Sequence, residues 1–325
     1  MSIIERAINK LSGDDTPVEA EVTPPQPVAP AAAEPAPVPA TGAPAIAPAE
    51  PVVPPPVATP KPEPVASPPG SFVPPPPDPE KSVYIDLDRL AAAGFLQLDG
   101  GNTRLDEDYQ QVKRRLLGNT LPGMAPSSAP PNLIMVTSSV PGEGKTFTSV
   151  NMALSLTKEV DHTILAIDTD IVKRDLSKAF GCVDQLGLYD VLSNPALEIS
   201  DVMLRTNIPN LVVIPAGQDQ SARTELLAST RMKSITEELA TRYSDRLVLF
   251  DTSPILATST ALALAPQVGQ FVLVVEANKT KHETLSAALD LLDETPITGL
   301  ILNKVKQSTR KTYDYYGYYT KGDGA

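Results

Sequence analysis

The chain has 325 residues, a formal net charge of −12 and a single cysteine, Cys182. The acidic balance argues against nonspecific nucleic-acid binding, which depends on neutralising phosphates, and no nucleic-acid partner is expected, although a local basic patch stays open. With only His162 and His282 beside Cys182, neither a disulfide framework nor a Cys/His metal site can be assembled, which fits a reducing cytoplasm.

At the N-terminus Ile3, Ile4, Ala7, Ile8 and Leu11 recur at helical spacing and predict a short amphipathic helix over residues 1–12. Glu5, Arg6, Asn9 and Lys10 interrupt its apolar pattern, so no signal peptide is expected. The helix is either a frayed terminus or a docking element for a partner or membrane surface, and the pattern does not separate the two. Of the 35 prolines, 24 fall within residues 17–79, in a stretch built almost entirely from Pro, Ala, Val and Glu. That composition buries too little apolar surface to offset its ordering entropy, which predicts a disordered linker over residues 13–82. One folded domain remains, residues 83–305, followed by a tail, residues 306–325.

Within the domain a helix at residues 106–117 comes first, carrying Lys113, Arg114 and Arg115. From Asn132 onward apolar β-rich runs alternate with helical patterns. Strands are expected at 133–136, 163–167, 211–214, 247–250, 271–275 and 297–302; helices at 146–158, in a stretch reaching 192, and at 230–242, 258–265 and 283–293. The longest uncharged window, residues 252–275, has room for a membrane span, yet Pro254, Pro266 and Gly269 favour two buried elements around a turn. Strands buried on both faces and joined by helices predict an α/β fold, a doubly wound, mainly parallel sheet of the P-loop NTPase type. In such sheets ligands bind beyond the carboxyl ends of the strands, which directs attention to the residues after each run.

After the first strand comes Ser138-Ser139-Val140-Pro141-Gly142-Glu143-Gly144-Lys145-Thr146, which opens a helix. Gly142 and Gly144 let backbone amides approach phosphate, Lys145 can reach the β- and γ-phosphates, and Thr146 can ligate Mg²⁺. The nucleotide-binding candidates are therefore Pro141, Gly142, Glu143, Gly144, Lys145, Thr146 and Phe147, with Ser139 standing where the usual pattern has its first glycine. The next strand ends in Asp168-Thr169-Asp170, followed by Lys173 and Arg174. If the chain stays extended there, period two puts both carboxylates on one side, where they could share metal binding and acceptance of a hydroxyl proton. The alternative is that they cap the following helix. A third strand tip delivers Asp251, placed as a Walker-B aspartate is for Mg²⁺.

These stretches resemble the bacterial tyrosine kinases of capsule and exopolysaccharide export, P-loop proteins unrelated to eukaryotic-type kinases. SSVPGEGKT, AIDTDIVKR, IPAG with ELLASTRM, LVLFDTSP, GLILNKV and a tyrosine-rich end carry the resemblance, which covers residue 106 to the C-terminus. It implies ATP as substrate and Mg²⁺ as cofactor. Lys145 would act as a catalytic residue on phosphate, Asp168 as base toward a tyrosine hydroxyl, Thr146, Asp170 and Asp251 as metal residues, and Asn303 as an adenine-side contact. It also implies a homo-oligomer and a partner, a membrane-bound activator or polysaccharide co-polymerase, here expected on a separate polypeptide that recruits the kinase to the inner face of the plasma membrane. Asp108, Gln111 and Arg114 stand where relatives often show a Glu-x-x-Arg-x-x-Arg helix used in ring assembly, a departure that bears on how an oligomer forms. The short helix ahead of a Pro/Ala linker is most similar to the autokinases of exopolysaccharide loci with a dedicated sorting system.

The tail holds Tyr313, Tyr315, Tyr316, Tyr318 and Tyr319, five of the nine tyrosines of the chain. Gly317 in their midst argues against a core strand, leaving a phosphoacceptor cluster or an aromatic segment that binds a partner. Lys304, Lys306, Arg310, Lys311 and Lys321 against Asp314 and Asp323 make residues 304–325 basic. Phosphorylation of all five tyrosines would add roughly −7.5 to −10 and reverse that sign. Two rivals to the autokinase are a partition-type ATPase switch and a nucleotide-gated scaffold phosphorylated by another enzyme. The first characteristically has a lysine where this chain has Val140.

Overall fold

The computed structural model describes residues 81–99, 103–121, 123–124, 129–218, 224–243, 246–292 and 298–306. The expected N-terminal helix, nearly all of the Pro/Ala-rich segment and the tyrosine tail lie outside the described residues.

Among the described residues eight strands form one sheet: β1 (Ser82–Val83), β2 (Leu133–Ser138), β3 (Thr163–Asp168), β4 (Leu204–Thr206), β5 (Leu211–Ile214), β6 (Arg246–Asp251), β7 (Gln270–Glu276) and β8 (Gly299–Asn303). Their order is β1-β4-β5-β3-β6-β2-β7-β8. Every pairing is parallel except that of β4 with β5. Alternate residues of β2 face opposite cores: Leu133 and Met135 join one, Ile134 and Val136 the other. Both faces are buried, which explains why the strand has no polar alternation.

Helices α1 (Leu87–Ala92), α2 (Arg104–Gly118), α3 (Lys145–Leu156) and α4 (Asp175–Phe180) contribute to one core, which holds Tyr109, Leu116 and Phe180. Helices α5 (Leu188–Ser193), α6 (Thr230–Thr241), α7 (Thr260–Leu264) and α8 (His282–Asp290) contribute to the other, around Tyr189, Phe250 and Phe271. Each fully buried large apolar side chain contributes about 1.5–3 kcal/mol relative to exposure. These two layers hold the central strand tips in place.

Several expected elements differ in the structure. The helical stretch reaching residue 192 is two helices, because Gly181 at φ 74° ends α4. The chain must then pass Gly187, where a β-carbon would lie 2.1 Å from the Pro215 carbonyl oxygen. The helix expected at 258–265 begins at Thr260 and the one expected at 283–293 ends at Asp290. Strands β1 and β4, only 2 and 3 residues long, were not expected. Asn207 ties β1 to this edge: its amide donates to the Ile85 carbonyl at 3.1 Å and its oxygen accepts the Ile85 N–H at 2.7 Å.

Candidate active site

Strands β2, β3 and β6 are neighbours, and their carboxyl ends bring the phosphate loop, Asp168 and Asp251 together. Between β2 and α3, Gly142 and Gly144 take φ values of 92° and 97° around Glu143, whose φ is negative. Alternation of that kind turns successive amides to one side and makes an anion-binding nest. The Glu143 carboxylate is buried and braces the loop: it accepts the Val140 N–H at 2.9 Å and the Thr280 hydroxyl. Of the loop candidates, Glu143 thus has its side chain engaged within the protein. Pro141 is exposed at the loop's outer turn.

Lys145 opens α3 and lies 3.0 Å from Asp170 and 3.6 Å from Asp251. The Thr146 hydroxyl donates to Asp251 Oδ2 at 2.7 Å, and Ser149, one turn on, donates to Oδ1 at 2.9 Å. Burial works against the Lys145 ammonium, but Asp251 and Asp170 outweigh it and the group is held above its ordinary range. Burial also pushes Asp170 upward, yet the Lys145 pairing wins and leaves its carboxyl below the usual range. Asp251 is raised, chiefly by complete burial.

Asp168 sits next to Asp251 in the β3–β6 register and is fully buried. Its Oδ2 accepts two bonds from Ser177 of α4, the N–H at 2.8 Å and the hydroxyl at 2.7 Å; its Oδ1 accepts the Asp170 N–H at 3.0 Å. Desolvation, then Asp251, pushes it up to about 7 against those hydrogen bonds. Asp168 and Asp170 therefore do not point as a pair. The strand ends at Asp168, so period two lapses and Asp170 turns to Lys145 while Asp168 faces α4. Asp168 also supplies the capping acceptor that Arg174, at the N-terminus of α4, does not.

Three carboxylates against one ammonium leave a net negative cluster around a threonine hydroxyl. Among the described residues no three His, Cys, Asp or Glu side chains form a metal cage. Magnesium in phosphoryl-transfer sites needs none, since it takes one or two carboxylates and completes its shell with phosphate and water. Thr146, Asp251 and Asp170 fit that donor set.

Phe147 follows Thr146 and packs on Phe95, ring centroids 5.0 Å apart. It borders a cleft of about 470 Å³ shared with Tyr109 and Val112 of α2 and with Ile301 and Asn303 of β8. Asn303 lies at this cleft, but its amide is engaged by the phosphate loop, donating to the Glu143 carbonyl at 2.9 Å. Ser149 and Ser177 are not singled out by the sequence, and Lys304 enters there only as one of the basic tail residues. Ser149 alone had a signal there, standing one helical turn beyond Lys145.

Residues 132–295 match the AAA domain family. Tyrosine-protein kinase YwqD of Bacillus subtilis is 33% identical over 186 residues, which cover 57% of this chain and 77% of that protein. The chain belongs to the bacterial tyrosine-protein kinases. The longer tyrosine-protein kinase ptk of Acinetobacter johnsonii is 32% identical over 56% of this kinase, a region that makes up 25% of ptk. The kinase domain of Escherichia coli tyrosine kinase ETK superposes with a TM-score of 0.58 at 26% identity, covering 71% of this kinase and 85% of that chain. Among the described residues of the kinase, no helix is long and apolar enough to cross a membrane.

Proposed function

We propose that the kinase transfers the γ-phosphoryl group of ATP to its own C-terminal tyrosines, Tyr313, Tyr315, Tyr316, Tyr318 and Tyr319, and does so between copies of the chain. The observation that carries this reading is the position of β8. Its last residue, Asn303, touches the phosphate loop, so the chain that leads on to the tyrosines departs from beside that loop. Ten residues, 304–313, span at most about 33 Å, and a chain leaving the sheet edge must reverse sharply to present a tyrosine in line with its own γ-phosphate. A neighbouring copy meets no such constraint, which also supports a homo-oligomer.

In the proposed reaction the tyrosine oxygen forms the new bond to γ-phosphorus, the bond to the β–γ bridging oxygen breaks, and ADP leaves. Asp168 Oδ1, which accepts one hydrogen bond where Oδ2 accepts two, has a lone pair for the tyrosine proton. Its upward displacement to about 7 suits a base working near neutrality. Lys145 and the amides of residues 142–146 hold phosphate oxygens. Thr146, Asp251 and Asp170 would hold magnesium, which would supply charge neutralisation across the phosphates. The apolar cleft beside Phe147 and Asn303 suits the nucleoside.

Resemblance to capsule and exopolysaccharide kinases supports a role in controlling polysaccharide polymerisation or export, with a membrane-bound activator as partner bringing a cytoplasmic kinase to the inner membrane face. Incubating purified protein with Mg·ATP alone tests the core of the proposal. Phosphotyrosine confined to residues 313–319 and absent from the Lys145→Met variant is expected. ATP hydrolysis without phosphotyrosine would favour the partition-type switch, and labelling only after adding another kinase would favour the scaffold.

A further inference from the structure

Lys304, the first residue after β8, has a left-handed backbone at φ 57°. That conformation is uncommon for a side-chain-bearing residue and directs attention to what it achieves. Here it coincides with two consecutive side chains, Asn303 and Lys304, turned back onto the phosphate loop. The Lys304 ammonium donates to the Gly142 carbonyl at 2.6 Å, and the Asn303 amide donates to the Glu143 carbonyl at 2.9 Å. The pair is self-supporting, since the Lys304 N–H donates to Asn303 Oδ1 at 2.8 Å. Glu276 also pairs with the ammonium at 3.1 Å.

A trans peptide unit is planar and its carbonyl and N–H point in opposite directions. No cis peptide is present among the described residues. Pinning the carbonyls of Gly142 and Glu143 therefore fixes where the N–H groups of Glu143 and Gly144 point: away from β8 and into the nest. Those are the amides a phosphate needs. Lys145 is already held by Asp170 and Asp251, so amide orientation matters more here than in a loop with a second lysine, and Val140 occupies that second position.

We propose that Lys304, together with Asn303, is a positioning residue for nucleotide binding: it orients the phosphate-loop amides from the root of the tyrosine tail. The inference rests on the nucleotide reading of the loop. Lys304 also couples the root of the tail to the phosphate loop through a direct contact. Because the Lys304 side chain is 46% exposed, its loss costs folding little.

The test is titration of Mg·ADP and Mg·ATP into full-length protein, together with KM and kcat for ATP. Lys304→Met should weaken nucleotide binding about tenfold, on the scale of one charge-assisted hydrogen bond, and raise KM for ATP with kcat within about twofold of wild type. Lys304→Arg, which can still donate to Gly142, should restore binding. Lys279→Met removes a neighbouring cation that pairs with the same Glu276 but bonds no loop carbonyl, and should bind as wild type. An unchanged thermal midpoint in Lys304→Met separates positioning from unfolding. Wild-type affinity in Lys304→Met, or an equal loss in Lys279→Met, overturns the inference, the latter by reducing it to general charge. Wild-type protein that binds no nucleotide overturns the functional reading and this inference with it.

Discussion

Alanine at Gly142 and at Gly144 should differ in cost for a reason visible in the phosphate loop. Both glycines have positive φ, 92° and 97°, so either substitution carries left-handed strain of about 1–2 kcal/mol. At Gly142 a β-carbon meets nothing within 4 Å, whereas at Gly144 it would lie 2.1 Å from Asn303 Nδ2. The obstacle is a side-chain tip and can rotate away, but only by giving up its 2.9 Å bond to the Glu143 carbonyl. That loss adds about 1 kcal/mol. Gly144→Ala should therefore cost about 2–3 kcal/mol and Gly142→Ala about 1–2, measured by urea unfolding of nucleotide-free protein. In an Asn303→Ala background the Gly144→Ala cost should fall to the strain alone, giving a coupling of about 1 kcal/mol. Equal costs at the two glycines, or strictly additive effects of Gly144→Ala and Asn303→Ala, would refute the clamp.

Asp168→Asn should keep Mg·ATP affinity within about threefold while phosphoryl transfer falls by roughly 10²–10⁴; full activity in this variant would pass the role of base to Asp170. Stability of the nucleotide-free protein should rise as pH falls from 8 to 6. Asp168 takes up its proton near pH 7 in the folded state but near 3.8 when unfolded, so the folded state binds the extra proton in that window. The gain is at most about 1.4 kcal/mol per pH unit for this group, and Asp251, also raised, acts in the same direction. A thermal midpoint that falls over that range would contradict the buried-carboxylate account. Removing residues 1–80 should leave nucleotide binding and a single cooperative transition, because β1 and every described core residue lie beyond the cut; loss of the transition would refute it.

The central strands were legible because burial on both faces leaves an unbroken apolar run, as in Leu211–Ile214, whose expected and observed limits coincide. The phosphate loop was legible because its chemistry is local: glycines, lysine and threonine at fixed spacing. Strands β1 and β4 were not, since 2 or 3 residues carry no period and their pairing depends on distant partners such as Asn207. For Asp168 the sequence left a base and a helix cap open. The structure gives it the cap through Ser177, a contact nine residues away that only the turn after β3 creates, and buries it completely. Glu143 and Asn303 fell within the candidate list for nucleotide contact, but the function of their side chains as braces depends on Val140, Thr280 and a peptide carbonyl, groups with no sequence signature.

The central claim is that the kinase phosphorylates the tyrosine tail of another copy. Protein carrying Lys145→Met with an intact tail, mixed with active kinase whose five tail tyrosines are phenylalanine, isolates that transfer. The account predicts phosphotyrosine on residues 313–319 of the Lys145→Met chain, appearing at a rate that rises with the concentration of active kinase. An unlabelled Lys145→Met chain, alongside wild type that labels itself at a rate per molecule independent of concentration, would contradict it.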